Sequence, residues 1–265
     1  MKMTNELSWT PFVTLFWKEI ARFMRVARQT LLIPIVNSGL YLLIFGVSLG
    51  SSISLGGEHH YLAFLIPGIV MMGCLNNAFQ NSSSSIATSR FHGDFEDLRV
   101  VPLNNIQIAM ALSIGGVVRG LAVAFLILAM GEAFYYFTLG ELLAINYPLT
   151  VFFFLFMGGL SFSNLGIIIG FWAKSFDQMS AIGGFVLLPL MYLGGVFFSL
   201  NMLHPFWQHL SKLNPMLYFI NGMRYGVLGT SDIDIWICAL FSVVTTVVLY
   251  LMAFRNIKYG NYGRW

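Results

Sequence analysis

The sequence predicts an all-α integral membrane protein with six transmembrane helices, and three observations support this fold class. Hydrophobic residues make up 57% of the 265 positions and charged residues only 9%, whereas soluble domains carry roughly 25% charged residues. Six apolar runs are each long enough to cross the hydrocarbon core, which takes about 20 helical residues. Lys and Arg are concentrated in the segments on one side of these runs.

The apolar runs and the segments around them give the predicted organisation of the chain. Residues 1–29 are expected to form a cytoplasmic amphipathic helix, 30–254 the transmembrane domain and 255–265 a cytoplasmic tail. The spans are expected at about 30–50, 61–82, 110–133, 146–172, 178–198 and 233–254.

The distribution of basic residues predicts that both termini lie in the cytoplasm. Six spans place the termini on the same side of the membrane, and Lys and Arg are retained on the cytoplasmic side. Eleven of the 14 basic residues fall on the side of the termini, and only Lys212 and Arg224 fall on the other. Arg119 lies within the third span, where its long side chain is expected to extend towards the cytoplasmic headgroups.

The segment before the first span has the pattern of an amphipathic helix at the membrane surface. At 100° per residue, one face carries apolar residues and the opposite face basic ones. The apolar set is Trp9, Phe12, Phe16, Ile20, Phe23 and Ala27, and the basic set is Lys18, Arg22 and Arg25. The first face would enter the acyl boundary and the second would contact anionic headgroups. A cytoplasmic helix packed on a partner is the alternative.

Residues 200–232, between the fifth and sixth spans, are too apolar for a solvated loop and too short to cross the membrane twice. Asn214-Pro215 divides the segment, because proline disfavours helix in the residue before it. We therefore predict a re-entrant helical hairpin in the outer leaflet, with Trp207, Asn214, Pro215 and Arg224 as its candidate functional residues. An amphipathic cap lying flat on the surface is the alternative.

Polar residues on one side of the second span indicate either a substrate path or hydrogen bonding between helices. Polar side chains at this depth are costly unless they find partners or water. The substrate-path candidates are Gly73, Asn76, Asn77, Gln80 and Ser84, joined by Phe185 and Tyr192 of the fifth span. Two glycine pairs, Gly116-x-x-x-Gly120 and Gly166-x-x-x-Gly170, are expected to mark close helix packing.

The sequence lacks the motifs of an enzyme that works alone. It contains no phosphate-binding G-x-x-x-x-G-K-[ST] loop, and all five histidines lie in loops or hairpin ends, away from any serine nucleophile within a span. Cys74 and Cys238 lie in apolar runs without neighbouring metal ligands. The basic residues do not form the aromatic-interleaved patch typical of nucleic-acid binding. We expect no catalytic site, no metal site and no nucleic-acid partner.

The loop after the second span carries the most ordered polar pattern in the chain. It is expected to form a short helix parallel to the membrane, with acidic residues near its N-terminal end and a basic residue near its C-terminal end, as the helix dipole favours. Its residues are Gly93, Asp94, Phe95, Glu96, Asp97, Leu98 and Arg99.

Two stretches carry a family resemblance. Gly93-x-x-Glu96-x-Leu98-x-x-x-Pro102-Leu103 resembles the loop signature of ABC-2 type permeases, the transmembrane subunits of bacterial ABC exporters. A second set of residues resembles the other conserved stretch of that family: Leu188-Pro189, Gly194-Gly195-Val196-Phe197-Phe198, Trp207, Asn214-Pro215 and Arg224. Gly194 stands where a serine is common, and Ser199-Leu200 replaces a pair that usually contains proline.

This resemblance implies an ATP-driven exporter of a drug, lipid or glycan in a bacterial inner membrane, surrounded by membrane lipids. It implies a permease homodimer, or a heterodimer with a sister chain, on two cytosolic ABC ATPase subunits that bind ATP and Mg, while this chain binds no cofactor. The segment from Gly93 to Arg99 would be the coupling helix. In it, Asp94, Glu96 and Asp97 would meet basic groups of the ATPase, and Phe95 and Leu98 would anchor the contact.

A secondary transporter or channel that works without an ATPase is the alternative function. Such a protein should carry coupling carboxylates within its spans, or internal repeats. In this sequence every Asp and Glu lies in a loop or at the end of a span, and no internal repeat is visible.

Overall fold

Six helical segments are long and apolar enough to cross a membrane in the part of the chain that the computed structural model describes, residues 9–48, 60–95 and 101–260. The predicted all-α membrane fold with six spans is confirmed. The helices are α1 (Trp9–Arg25), α2 (Ala27–Tyr41, continued by a π-helix, Leu42–Ser48), α3 (Tyr61–His92), α4 (Asn105–Leu139), α5 (Pro148–Trp172), α6 (Phe176–Ile182, followed by a π-helix, Gly183–Leu187), α7 (Leu188–Leu193), α8 (Pro205–Lys212), α9 (Pro215–Leu228) and α10 (Ile235–Tyr259).

The spans are α2 with its π-helix, α3, α4, α5, the continuous α6–α7 segment, and α10. We call the end of the molecule that holds α1, His92 and Trp172 the base, and the opposite end the far end. The predicted domain boundaries shift by a few residues, because α2 already begins at Ala27 and α10 continues to Tyr259. The predicted limit between 29 and 30 therefore falls inside α2, and residues 255–259 of the predicted tail continue the last helix.

Helix α3 is the centre of the fold and extends ten residues beyond the predicted end of its span. The serines that follow residue 81 lower the hydropathy, but their hydroxyls have partners inside the protein. Ser82 lies 2.6 Å from the Ser163 hydroxyl of α5, and Ser85 donates to Glu19 of α1 at 2.8 Å. Because these hydroxyls are satisfied within the bundle, α3 stays helical and buried towards the base.

Helix α1 lies at the base against α4, and its apolar arc is divided between two environments. Leu15 and Phe23 are buried against the protein, whereas Trp9, Trp17 and Met24 are exposed. The predicted amphipathic helix therefore exists, and part of its apolar surface packs on its own chain. Contact of the exposed tryptophan side with lipid stays a prediction.

The α-helix of the fifth span is interrupted by the π-helix Gly183–Leu187 and ends at Leu193, five residues before the predicted end. Gly195 adopts a φ of +82°, which ends the helix in a left-handed turn that glycine tolerates best. Side chains of neighbouring helices then hold the non-helical segment that follows. Tyr61 donates its hydroxyl to the Phe197 carbonyl at 2.8 Å, and Arg224 donates to the Gly195 carbonyl at 2.8 Å.

The predicted division at Asn214-Pro215 separates α8 from α9. The Asn214 side chain caps α9 by accepting from the Met216 amide at 3.1 Å, and its amide group donates to the Leu190 carbonyl at 2.6 Å. Helix α9 is buried along nearly its whole length among α3, α5 and α10, while α8 exposes Trp207. Insertion of this hairpin into the outer leaflet stays a prediction.

Candidate functional site

A cavity of about 300 Å³ lies between α2, α3 and α7, and we call it the upper cavity. Five of the predicted substrate-path residues line it: Gly73, Asn76, Asn77, Gln80 and Tyr192. The other lining residues are Gln29, Thr30, Ile33, Pro34, Asn37, Ser38, Tyr41, Met72, Arg119, Leu188 and Met191. Amide and hydroxyl groups thus share this surface with aliphatic side chains.

A second cavity of about 550 Å³ lies between α3 and the interrupted fifth span, and we call it the lower cavity. It shares four residues with the upper cavity: Asn76, Gln80, Arg119 and Leu188. Ser84 lines it from α3, and the Gly183-Gly184 π-helical turn lines it from the fifth span. Phe185 lies outside both cavities and is 84% exposed. The structure therefore groups the candidates except Phe185 along two cavities that share part of their lining.

The amides of α3 behave in two ways. Gln80 donates to the Asn76 side chain at 3.1 Å, one turn earlier on the same helix, so both stay at the cavity surface. Asn77 is buried; it donates to the Gly73 carbonyl at 3.0 Å and accepts from Arg119 of α4 at 3.4 Å. The two readings of the polar face apply to different residues: Asn76 and Gln80 line the cavities, and Asn77 also connects two helices.

The prediction that Arg119 extends to the headgroups is wrong. Its side chain is buried, 8% of the residue is exposed, and it lines both cavities beside Asn77. Sequence reasoning missed it as a site residue because a basic side chain near the end of a span is normally drawn to the interface. Gly120 follows it on α4 at the close approach to Cys74 of α3, and this tight helix contact keeps α4 against the polar side of α3.

Leucine substitutions at Asn77 and Gln80 separate cavity lining from helix contact. Asn77→Leu removes the acceptor of Arg119 and should cost roughly 1–3 kcal/mol. That cost lowers the melting temperature by about 2–4 °C per kcal/mol in a chain of this size. Gln80→Leu should change stability by about 0.5 kcal/mol or less and should reduce transport. Thermal melting of both variants in detergent measures the difference, and equal melting temperatures would contradict the contact role of Asn77.

The base of α3 positions the start of the predicted coupling helix. Gly93 ends α3 in the left-handed conformation with a φ of +86°. Arg90, in the last turn of α3, donates to the carbonyls of Phe171 at 2.8 Å, Ala173 at 3.2 Å and Gly170 at 3.3 Å. A cation at the C-terminus of α5 satisfies carbonyls that the helix leaves open and complements its dipole. The base of α3 is thereby fixed to the base of α5.

Of the remaining coupling candidates, the structure describes Asp94 and Phe95. Asp94 is exposed. Phe95 is 1% exposed, and its ring meets that of Phe171 edge to face with centroids 5.4 Å apart. In this structure the Phe95 ring therefore packs on the chain's own core, and its role as an anchor for the ATPase stays a prediction. Four candidates lie outside the described residues: Glu96, Asp97, Leu98 and Arg99.

Arg224 and Asp232 hold the non-helical segment that follows the fifth span, at the far end of the molecule. Arg224 is buried, donates to Gly195, and holds its guanidinium carbon 3.6 Å from the centroid of the Phe64 ring. Asp232 stabilises the same segment by accepting from the Ser199 hydroxyl and the Leu200 amide, each at 2.7 Å. These contacts connect the end of the fifth span to α9.

A buried ion pair at the base was not predicted from the sequence. The Glu19 carboxylate accepts from Arg22 at 2.9 Å and from the Ser85 hydroxyl at 2.8 Å. Arg22 also donates to the Asn81 carbonyl at 2.8 Å and to the Ser84 hydroxyl at 3.2 Å. Arg22 therefore holds α1 on α3 beside the lower cavity and does not point to the lipid headgroups as expected.

Comparison with known proteins identifies relatives along most of the chain. The family model described as "ABC-2 type transporter" matches residues 10–228. The inner membrane transport permease YadH of Escherichia coli strain K12 is 39% identical over 257 residues, which cover 96% of this chain and 97% of the relative.

Two more distant relatives match as well. Nodulation protein J of Neorhizobium galegae is 25% identical over 86% of this chain and 84% of its own length. The probable multidrug ABC transporter permease YbhR of Escherichia coli strain K12 is 25% identical over 74% of this chain and 54% of its own length. The family match, over residues 10–228, includes α3, the residues that line both cavities and the fifth span.

Proposed function

The chain belongs to the ABC-2 type transporter family, and from this premise we propose that it is the permease of an ATP-driven exporter, working as a homodimer with two cytosolic ABC ATPase subunits. Membership in the family makes the chain a multi-pass inner-membrane permease that pairs with ABC ATPases. Outward transport, the copy number and a cytoplasmic position of both termini are the proposed parts. ATP and Mg would be bound by the ATPase subunits.

The observation that carries the proposal is the pair of cavities along α3. Their shared residues, Asn76, Gln80, Arg119 and Leu188, give a mixed polar and apolar surface that runs beside α2 and the fifth span. Helix α2 and the fifth span are among the least buried of the six spans. A second copy packed against this flank would close the cavities into a path between two permease chains.

The probable multidrug permease YbhR and nodulation protein J are each 25% identical to this chain over the matched residues. The printed name of YbhR, a probable multidrug permease, supports an organic molecule as the cargo without choosing among a drug, a lipid and a glycan. The absence of carboxylates from the interior of the predicted spans supports ATP as the energy source over coupling to an ion gradient.

Purification from native membranes tests the assembly. We expect tagged full-length chain to retain an ABC ATPase at a one-to-one chain ratio, with ATP hydrolysis in the purified complex. Native mass spectrometry would give the copy number, and two of each chain is the expected result. A chain that transports in vesicles with no ATPase chain present would overturn the proposal in favour of a secondary transporter or channel.

Charge reversal in the predicted coupling helix tests how the two proteins are connected. Glu96→Lys combined with Asp97→Lys should reduce transport-coupled ATP hydrolysis about tenfold or more. A hydrogen bond to a charged group is worth about 1.5–3 kcal/mol, and roughly 1.4 kcal/mol is a factor of ten. ATPase activity of the reconstituted complex is the measurement.

The control for this variant is Glu141→Lys, which reverses an exposed charge beyond the end of α4. It should leave ATP hydrolysis unchanged, and both variants should insert at normal yield. Full coupled activity in the Glu96 and Asp97 variant would remove this loop from the ATPase contact.

A further inference from the structure

Arg119 carries a positive charge that the described part of the chain does not neutralise. Only 8% of the residue is exposed, and no carboxylate among residues 9–48, 60–95 and 101–260 forms a salt bridge with it. Its contact with Asn77 is long, at 3.4 Å, and its Nε has no acceptor. Burying a charge without a partner costs several kcal/mol, so a persistent unpaired arginine at this depth indicates a function.

Arg224 also has two buried nitrogens, Nε and Nη1, without a partner among the described residues, but its surroundings differ from those of Arg119. The Arg224 guanidinium lies against the Phe64 ring and donates to the Gly195 carbonyl at 2.8 Å. It lines neither of the two cavities. Among the described residues, Arg119 has neither an aromatic partner nor a short bond to a carbonyl oxygen, and it lines both cavities. A hydrogen-bond acceptor for the Arg119 guanidinium could therefore come from a molecule bound in these cavities.

The acidic residue closest to this region in the hydrogen-bond network is already engaged. Glu19 accepts from Arg22 and from Ser85, and Arg22 reaches Ser84 at the edge of the lower cavity. The base of the cavity therefore brings a second guanidinium, paired with Glu19, and no free carboxylate among the described residues. The local field favours an incoming anion.

The lining around Arg119 suits an anionic head with an apolar tail. A guanidinium binds a phosphate or carboxylate with two parallel hydrogen bonds, and the Asn76 and Gln80 amides add donors beside it. Ile33 and Leu188 line the same cavity from the two flanks of its opening, and both are exposed at the surface of the protein. A tail could lie between α2 and α7 while the head contacts Arg119.

We infer that the two cavities bind an anionic amphipath, a phosphate or carboxylate joined to an apolar tail, with Arg119 as the cationic ligand of its head. This inference rests on the proposed function only in treating the bound molecule as transported cargo. Binding itself requires this chain alone.

The test uses the full-length chain in nanodiscs of phosphatidylcholine. Dodecyl phosphate should bind and raise the melting temperature, while uncharged dodecyl maltoside and cationic dodecyltrimethylammonium should not. Arg119→Gln should weaken dodecyl phosphate binding about tenfold or more, since a hydrogen bond to a charged group is worth about 1.5–3 kcal/mol. Arg119→Lys should retain part of the affinity. Arg255→Gln removes an exposed arginine of α10 and should bind as the unaltered protein does.

Inorganic phosphate distinguishes a free anion from an amphipath. It should compete with dodecyl phosphate only weakly, and competition at equal concentration would overturn the proposal. Equal binding of dodecyl phosphate to the Arg119→Gln variant, or equal binding of dodecyl maltoside to the unaltered protein, would also overturn it.

A positional measurement keeps the proposal testable if Arg119→Gln does not fold. A dodecyl phosphate analogue with a photoreactive diazirine in its tail should label the unaltered protein at α2 and α7, near Ile33 and Leu188. Labelling confined to α10 would overturn the proposal. Loss of the ATPase from native membranes would contradict the permease assembly and leave this binding result intact, so the two failures are distinguishable.

Discussion

Gly166→Ala is expected to destabilise the protein strongly, because the backbone of α3 lies directly against α5 at this residue. A Cβ at position 166 would overlap the Phe79 carbonyl oxygen and lie 3.0 Å from the Ser83 nitrogen. Both are backbone atoms of the central helix, so no side chain can turn away to make room. Overpacking costs roughly 1–3 kcal/mol and occasionally more, which corresponds to at least about 2–12 °C in melting temperature for a chain of this size.

The matched control is Gly184→Ala in the π-helix of the fifth span. A Cβ there meets nothing within 4 Å, and alanine favours helix over glycine by about 1 kcal/mol. Fluorescence-detected size-exclusion chromatography of heated detergent extracts would measure both variants beside the unaltered protein. Equal melting temperatures for Gly166→Ala and Gly184→Ala would show that α3 and α5 separate without cost.

Close packing at the glycine pairs was predictable because it depends on residue size at a fixed helical spacing. Gly116, Gly120, Gly166 and Gly170 all lie where an added Cβ would crowd atoms of another helix. The six spans and the division at Asn214-Pro215 were predictable for a similar reason. Apolar length, and the conformational limits that proline imposes, are local properties of the chain.

The ends of the spans were less predictable, since they depend on partners far away in the sequence. Serines at the base of α3 lower its hydropathy, yet Ser82 and Ser85 find partners on α5 and α1. Gly194 and Gly195 are apolar enough to extend the fifth span in a hydropathy profile, but the positive φ of Gly195 ends it. A hydropathy pattern records the cost of exposing a residue and not the identity of its partner.

The candidate site was partly predicted for the same reason. The one-sided polar pattern of α3 identified Asn76 and Gln80 without knowledge of the fold. Arg119 and Glu19 were not identified as site residues, because each depends on contacts between segments that are distant in sequence. The family resemblance implies that Phe95 anchors an external contact, and its packing against Phe171 was not predicted because the two residues are distant in sequence.

Arg22→Met is expected to release α1 from the base of the bundle. Glu19 is 3% exposed, and loss of Arg22 leaves its carboxylate with the Ser85 hydroxyl as its remaining hydrogen-bond donor among the described residues. Removing one partner of a buried ion pair costs about 3–5 kcal/mol. Because the Arg22 side chain is itself 27% exposed, we expect the free energy that holds α1 in place to fall by about 2 kcal/mol. Amide hydrogen exchange across residues 9–25 should then be roughly thirtyfold faster.

The double variant Glu19→Gln with Arg22→Met distinguishes the ion pair from simple packing. It leaves no buried charge, and a glutamine at position 19 can still accept from Ser85, so exchange should return to within about threefold of the unaltered protein. Arg25→Met is the control, because Arg25 is an exposed basic residue of the same helix and its loss should not change the exchange rate.

If Arg22→Met and the double variant exchange equally fast, then the contact of Arg22 with Asn81 and Ser84 holds α1 in place, and neutralisation of Glu19 does not. If Arg22→Met exchanges no faster than Arg25→Met, then apolar packing of residues such as Leu15 and Phe23 holds α1, and the lower cavity has no electrostatic connection to the N-terminal helix.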